Sequence, residues 1–277
     1  MDLKHNEIVE KNKRDWNQYS ESYMGYNLSD KVLQPILENP ARAFHHITWD
    51  QIRKFVPDLK GKRICVPSSG DNHAVFAFAL MGAQVTSCDI SEKQLAAAKA
   101  VAAQLGLGEA ITFICTDTMT LDGVETESYD FVYTSNGVHV WLNDLPAMYR
   151  SIFRVLKPGG VYILYELHPF LRPFGEKLKV KKPYSETGPI EDELTVNFHW
   201  RMQDILNAIL DSQIQLVHME EIMPEIDYER PFWIKNEDII KGASFTREEV
   251  EKMYSLEENP AMALPEMFCL VGRKPRI

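Results

Sequence analysis

From Lys62 onward, short and fully apolar runs alternate with longer segments that are apolar on one side only. Residues 63–66, 83–88, 111–115, 129–134 and 161–167 have the length and apolar continuity of strands buried on both faces. Between them, residues 72–81 are Ala-rich and predict a helix that Gly82 stops. Ser91 with Gln94 makes a capping box for a second helix, whose buried face is Leu95, Ala98, Ala102 and Leu105 and whose stop is Gly106. Residues 144–156 predict a third, with Leu145, Met148, Ile152 and Val155 inward and the Lys157–Gly160 KPGG breaking it. Strand–helix alternation at this spacing means right-handed βαβ units and a parallel, doubly wound α/β sheet. Ligands of such sheets bind beyond the carboxyl ends of the strands. The residues to watch are therefore 67–72, Asp89, 116–119, 135–141 and 166–169.

The flanks read differently. Residues 1–60 predict a helical lid, with helices over 11–26, carrying Trp16, Tyr19 and Tyr23 at helical spacing, and over 42–55. The main domain, 61–277, is expected to carry insertions at about 170–198 and 220–265. The first holds four lysines (Lys177, Lys179, Lys181, Lys182) and then an acidic run, and a connection this long is characteristically functional. The second is polar, acidic and studded with aromatics, and reads as a C-terminal cap. Residues 200–211 predict a helix, and 213–219 and 267–272 predict two further strands.

Composition narrows the class. The chain of 277 residues is 45% hydrophobic, which suits a globular protein. No apolar run approaches the roughly 20 residues of a membrane span, and the N-terminus lacks the apolar stretch of a secretory signal, so a soluble cytoplasmic protein is expected. The net charge of −10 disfavours nucleic acid as a partner. Cys65, Cys88, Cys115 and Cys269 show no metal-binding spacing and read as reduced core residues, so no metal is expected.

With these elements in place, the chain resembles the class I S-adenosylmethionine-dependent methyltransferases over residues 62–167. The segments GAQVTSCDIS (82–91) and FRVLKPGGVYIL (153–164) carry the likeness. The resemblance implies a Rossmann-like seven-stranded sheet whose last strand is antiparallel, and S-adenosyl-L-methionine as cofactor. One motif departs from the family. Its acid and three glycines, D-x-G-x-G-x-G, fall here on Val66, Ser68, Gly70 and Asn72, so one glycine remains and the acid is gone. The loop Pro67, Ser68, Ser69, Gly70, Asn72 is still expected to approach the cofactor, its small polar side chains supplying hydrogen bonds.

Asp89 closes the second strand, where a carboxylate can accept both hydroxyl protons of a ribose, with Ile90 and Gln94 beside it. Because Ser91 and Gln94 already supply the helix cap, Asp89 is left without a local structural duty. Resemblance puts Asp117, Thr118 and Met119 near the adenine, and Asn136 and Gly137 beside the methionine part of the cofactor. Tyr19, Tyr23 and Trp141 are candidates to face a small-molecule substrate. Should the acceptor have to lose a proton, His139, His168 and His199 are the candidate bases. Two other functions stay open on the residues alone: a non-catalytic cofactor-binding protein, and a nicotinamide-dependent Rossmann oxidoreductase, which would need a G-x-G-x-x-G turn. The acceptor and the oligomeric state are not legible.

Overall fold

A computed structural model of the chain describes residues 5–191, 195–226 and 245–276, without the side chains of His5, residues 21–26 and Glu176. Seven strands form one sheet: β1 (Arg63–Val66), β2 (Gln84–Asp89), β3 (Ile111–Cys115), β4 (Tyr129–Ser135), β5 (Leu156–Leu167), β8 (Gln215–Ile222) and β9 (Met267–Arg273). Their order is β3-β2-β1-β4-β5-β9-β8. The first five are parallel, and β9 runs antiparallel to both its neighbours. The chain order reverses between β1 and β4, and that switch point opens the crevice in which open α/β sheets bind ligands. A separate two-stranded ribbon, β6 (Ile190–Glu191) and β7 (Val196–Asn197), lies inside the first insertion.

Period-2 alternation divides the strands between two cores. Ile64, Val66, Phe131, Tyr133, Val161 and Ile163 face one side, packing with α2 (Asp30–Glu38), α3 (His46–Phe55), α4 (His73–Leu80) and α5 (Glu92–Gln104). Cys65, Val132, Tyr162 and Leu164 face the other, packing with α6 (Leu145–Val155) and α7 (Met202–Asp211). The inward set of α6 is buried as its spacing requires. Asp144 caps that helix by accepting the Ala147 N–H at 2.8 Å.

Several local expectations change. The KPGG run does not separate helix from strand; it lies inside β5, where the register shifts between Tyr129 and Phe131. A Cβ on Gly160 would sit 2.9 Å from the Lys157 carbonyl oxygen and 3.1 Å from that of Tyr129, so the bulge closes only on glycine. The helix expected over 42–55 splits into a 3-10 turn, Pro40–Ala43, and α3. The break frees Phe44 to enter the core, with ring centroids 5.0 Å from Phe78 and 5.6 Å from Tyr133. Helix α2 has no counterpart in the sequence reading, yet Val32, Leu33 and Ile36 bury one face of it. Of the four thiols, Cys65, Cys88 and Cys269 are buried, whereas Cys115 is exposed at the end of the edge strand β3. Part of the expected cap, residues 227–244, lies outside the described residues; beyond it the chain forms α8 (Arg247–Met253).

The N-terminal 60 residues divide in two: α2 and α3 belong to the core, and only α1 (His5–Asn27) lies across the strand ends. Polar contacts hold α1 at both flanks. Asn17 accepts from Ser91 Oγ at 2.7 Å and donates to Glu92 at 2.9 Å, and Lys13 pairs with Glu92 at 2.8 Å. On the other side the buried Asn12 side chain accepts the Val196 N–H at 3.0 Å and donates to the Val196 and Trp141 carbonyls at 3.1 and 3.2 Å. Asn12→Ala leaves these buried groups without their partner, at about 1–3 kcal/mol for each group left unsatisfied. Amide exchange in α1 and β7 is expected to quicken at least tenfold while β1–β5 stay protected; unchanged exchange would show that α1 is held by other contacts.

Candidate active site

Beneath α1, at the carboxyl ends of β1 to β4, lies a cavity of about 350 Å³, within the roughly 300–1,000 Å³ of small-molecule sites. Its floor is the loop after β1. Ser68 and Gly70 both adopt positive φ (49° and 48°), and the N–H of Gly70 donates to Asp89 Oδ2 at 2.8 Å. At a φ of 48° the one retained glycine adopts a conformation that L side chains rarely take, and a Cβ there would also displace the Gln94 side chain. At the other motif positions, side chains tie the loop to its surroundings. Ser68 Oγ bonds Thr118 Oγ1 at 2.7 Å, Ser69 Oγ bonds Ser87 Oγ at 2.7 Å, and Asn72 Nδ2 donates to Ser135 Oγ at 2.9 Å. The Asn72 Oδ1 also caps α4 by accepting the Ala74 N–H.

Asp89 is buried against this floor. Its Oδ1 accepts the Ser91 N–H and its Oδ2 the Gly70 N–H, both at 2.8 Å. This corrects the expectation that Asp89 has no structural duty. Ser91 Oγ does accept the Gln94 N–H at 3.2 Å, but Asp89, not the Gln94 side chain, takes the Ser91 N–H. Burial pushes the Asp89 carboxyl up to about 6, against the downward pull of those N–H groups. Across the crevice, Asp117 Oδ1 turns its own loop by accepting the Met119 N–H at 2.8 Å. Asn136 and Gly137 have φ of 66° and 88°, as the turn after β4 requires.

The cavity brings together Ser68, Ser69, Gly70, Asn72, Asp89, Ile90, Gln94, Asp117, Thr118, Met119, Asn136, Gly137 and Trp141. Pro67 is buried behind the loop and does not line it. Tyr19 is 41% exposed and tilts against Trp16 outside the cavity; the Tyr23 side chain lies outside the described residues. Val9, Asn12 and Trp16 of α1 line the roof, and Trp16 meets Trp141 edge-on at 4.9 Å; a helix carrying Trp16 was expected there, but Val9 and Asn12 were not singled out. Their three- and four-residue spacing puts them on one helical face, a signal the aromatics alone obscured. Asp71 and His73 were also missed, and each bonds Asn27 at 2.8 Å.

None of the three candidate histidines lines this cavity. His139 is buried beneath it, its Nε2 2.8 Å from the Tyr149 hydroxyl and its backbone N–H donating to Glu166. Burial, helped by the Arg172 charge, pulls its imidazole down to about 3. His168 is held between Glu221 (3.0 Å) and the Phe170 N–H (3.3 Å). His168 and His199 instead line a second cavity, of about 430 Å³. Elsewhere His45, His46 and Glu225 converge, a grouping their sequence spacing does not announce; His46 and Glu225, at 2.8 Å, are both more than half exposed and form an ion pair. Among the described residues no helix is long and apolar enough to cross a membrane.

Strand order, the inverted β9 and a crevice at the β1/β4 switch define the Rossmann-like class I methyltransferase fold. Residues 67–164 match the family described as "Methyltransferase domain". Over 85 residues it is 36% identical to a sterol 24-C-methyltransferase of Gibberella zeae, a match covering 31% of this chain and 22% of that relative. The chain thus spans about a fifth of the length of that relative. An S-adenosylmethionine-dependent methyltransferase structure from Mesorhizobium loti superposes with a TM-score of 0.61 at 23% identity, covering 86% of this chain and 99% of that one. Geranyl diphosphate C-methyltransferase from Streptomyces coelicolor A3(2), crystallised with Mg²⁺, geranyl diphosphate and S-adenosyl-L-homocysteine, gives 0.60 at 14% identity over 96% and 98%. At these identities the superpositions establish the fold alone.

The depressed His139 has a consequence for stability. A histidine at about 3 in the fold and about 6.5 when unfolded is neutral in the native state, so unfolding takes up a proton below pH 6.5. Stability falls from there down to about pH 3 as the unfolded chain gains that proton. Between pH 7 and 4.5 the loss is about 2–3 kcal/mol from this group. Urea titrations of wild type and His139→Gln at both pH values are expected to differ by that amount in their pH dependence; parallel losses would mean that His139 is charged or exposed.

Proposed function

We propose that the protein transfers a methyl group from S-adenosyl-L-methionine to an O, N or C atom of a small-molecule acceptor. The observation that carries this is Asp89: a buried carboxylate at the switch point, locked to the Gly70 N–H and lining a cavity of cofactor size. The donor set fits the group. Asp89 is the acceptor for the ribose hydroxyls, Asp117 with Met119 flanks the adenine, and Asn136 and Gly137 flank the methionine part. Gly70 leaves room for close approach, since any side chain there would occupy the floor. The cofactor supplies an activated methyl that an acceptor's electron pair displaces in line from sulfur. The chain's own work is then alignment and exclusion of water. Trp16 and Trp141 close the cavity from above, and α1 with the β7 segment forms the lid.

His139, His168 and His199 do not line this cavity, so a base for an acceptor bound in it would have to come from its own lining, where His73 and Asp117 stand. The net charge of −10 favours a small molecule over nucleic acid, and the free thiols suit the reducing cytoplasm. A nicotinamide role is disfavoured because the serine-rich floor, tied to Ser87 and Thr118, has no G-x-G-x-x-G turn for a pyrophosphate.

Calorimetry with S-adenosyl-L-homocysteine and NADH tests the assignment, with saturable binding expected for the first alone. Asp89→Ala is expected to weaken that binding about tenfold or more, the 1.5–3 kcal/mol of a hydrogen bond to a charged group. In the wild type, affinity is expected to be flat above pH 7 and to drop about tenfold by pH 5, as the carboxylate at about 6 takes up a proton and loses an acceptor site. Full affinity in a folded Asp89→Ala protein would remove the assignment.

A further inference from the structure

The second cavity has a charge pattern that the methyl-transfer reading does not use. Three separate segments converge on it: Arg172 after β5, Lys181 and Lys182 from the first insertion, and His199 after β7. Its apolar walls are Leu167, Leu171 and Phe174, and its lining contains no acidic side chain. The three cationic side chains, Arg172, Lys181 and Lys182, repel one another around one concavity, a cost that an opposing charge would offset.

The hydrogen bonding sharpens this. Among the described residues, the Arg172 guanidinium and the Lys181 ammonium make no hydrogen bond or ion pair, although a guanidinium carries five donors in a rigid fork. The Lys182 ammonium reaches only the Glu186 carbonyl. His199 Nδ1 is buried with no partner. Every one of these groups except the exposed Lys181 is half-buried. Burial pulls Arg172 and Lys182 below their ordinary values, and burial with the charges of Arg172 and Lys182 brings His199 down to about 4. Of the carboxylates around it, Glu166, whose charge acts on Arg172, accepts the His139 and Leu167 N–H groups, Glu221 holds His168, and Glu186 acts on Lys182 by its charge without an ion pair. The result is a pocket of donors and positive charge with an apolar wall, whose Arg172 and Lys181 have no acceptor among the described residues.

We propose that this second cavity is an oxyanion-binding site, in which Arg172, Lys181, Lys182 and His199 take the phosphate or carboxylate group of a small ligand. Arg172 provides the planar fork that suits either group, and the lysines add point charges at the rim. The site lies one side-chain layer from the first cavity: a Cβ on Gly137, which lines the first, would be 3.7 Å from Leu167 Cδ1, which lines the second. An anion held here places the rest of its molecule beside the Asn136–Gly137 turn. That the molecule is the methyl acceptor rests on the transfer reading above; the anion site does not.

The test is calorimetry on the full chain at constant ionic strength, with inorganic pyrophosphate, inorganic phosphate and succinate as probes. Saturable binding of at least one probe is expected, weakened tenfold or more by Arg172→Gln and at least threefold by the exposed Lys181→Ala. Both variants are expected to keep wild-type affinity for S-adenosyl-L-homocysteine and an undiminished thermal midpoint, because neither side chain holds a structural partner. Stronger binding of a phosphate probe assigns a phosphate ester, and stronger binding of succinate assigns a carboxylate. No saturable binding of any probe, or equal affinity in wild type and Lys181→Ala with Arg172→Gln folded or not, overturns the site. Loss of S-adenosyl-L-homocysteine binding by the wild type overturns the cofactor reading instead, so the two failures are told apart.

Discussion

Asp89 accepts two backbone N–H groups, one from Gly70 in the loop after β1 and one from Ser91 at the start of α5, each at 2.8 Å. The first fixes the loop leaving β1, and the second fixes the start of α5. Their relative placement sets the width of the floor, so the shape of the cavity hangs on a carboxylate that burial makes hard to keep charged. Ligand hydroxyls that donate to the same oxygens favour the charged form. Under the proposed cofactor role, the Asp89 carboxylate would be held charged most easily when the cavity is filled, which would couple the order of the loop to occupancy.

The loss of glycines from the β1 loop is compensated in a specific way. A glycine-rich loop approaches its ligand because it lacks side chains. Here Ser68, Ser69 and Asn72 point their polar atoms into the protein, at Thr118, Ser87 and Ser135. The loop is stapled to the ends of β2 and β4 and to the turn after β3, and its backbone is left facing the cavity. A stapled loop loses less conformational entropy on binding than a flexible one. The departure from the family motif thus replaces permissiveness with pre-organisation.

The sheet was legible because fully apolar strands and one-sided helices are local patterns, and the ends of those strands pointed to the crevice before any coordinates. Asp89, Gly70 and the Asn136–Gly137 turn were legible for the same reason. Three kinds of feature were not. Phe44 interrupts a helix because a distant pocket between Phe78 and Tyr133 takes it, and local propensity carries no trace of that. The KPGG run reads as a helix stop, although its glycines serve a bulge forced by the Tyr129 carbonyl. The role of a histidine depends on what surrounds it in space. His139 follows a strand as a base would, yet its imidazole points at Tyr149.

The same limit explains why the basic insertion resisted reading. Lys177, Lys179, Lys181 and Lys182 look alike along the chain, but only Lys181 and Lys182 reach the second cavity, and their partners Arg172 and His199 are 9 or more residues away in either direction. A solvated lysine patch and a recognition site differ in whether the charges converge on a shared concavity with apolar walls. Convergence is a property of the tertiary fold. In this fold β5 delivers it: the strand whose Glu166 anchors the turn beside the first cavity continues into the segment that carries Arg172 to the second. The end of β5 thus braces the turn beside the first cavity and supplies a wall of the second, and a ligand that spans them would have its position fixed by the sheet itself rather than by the side chains of a surface loop.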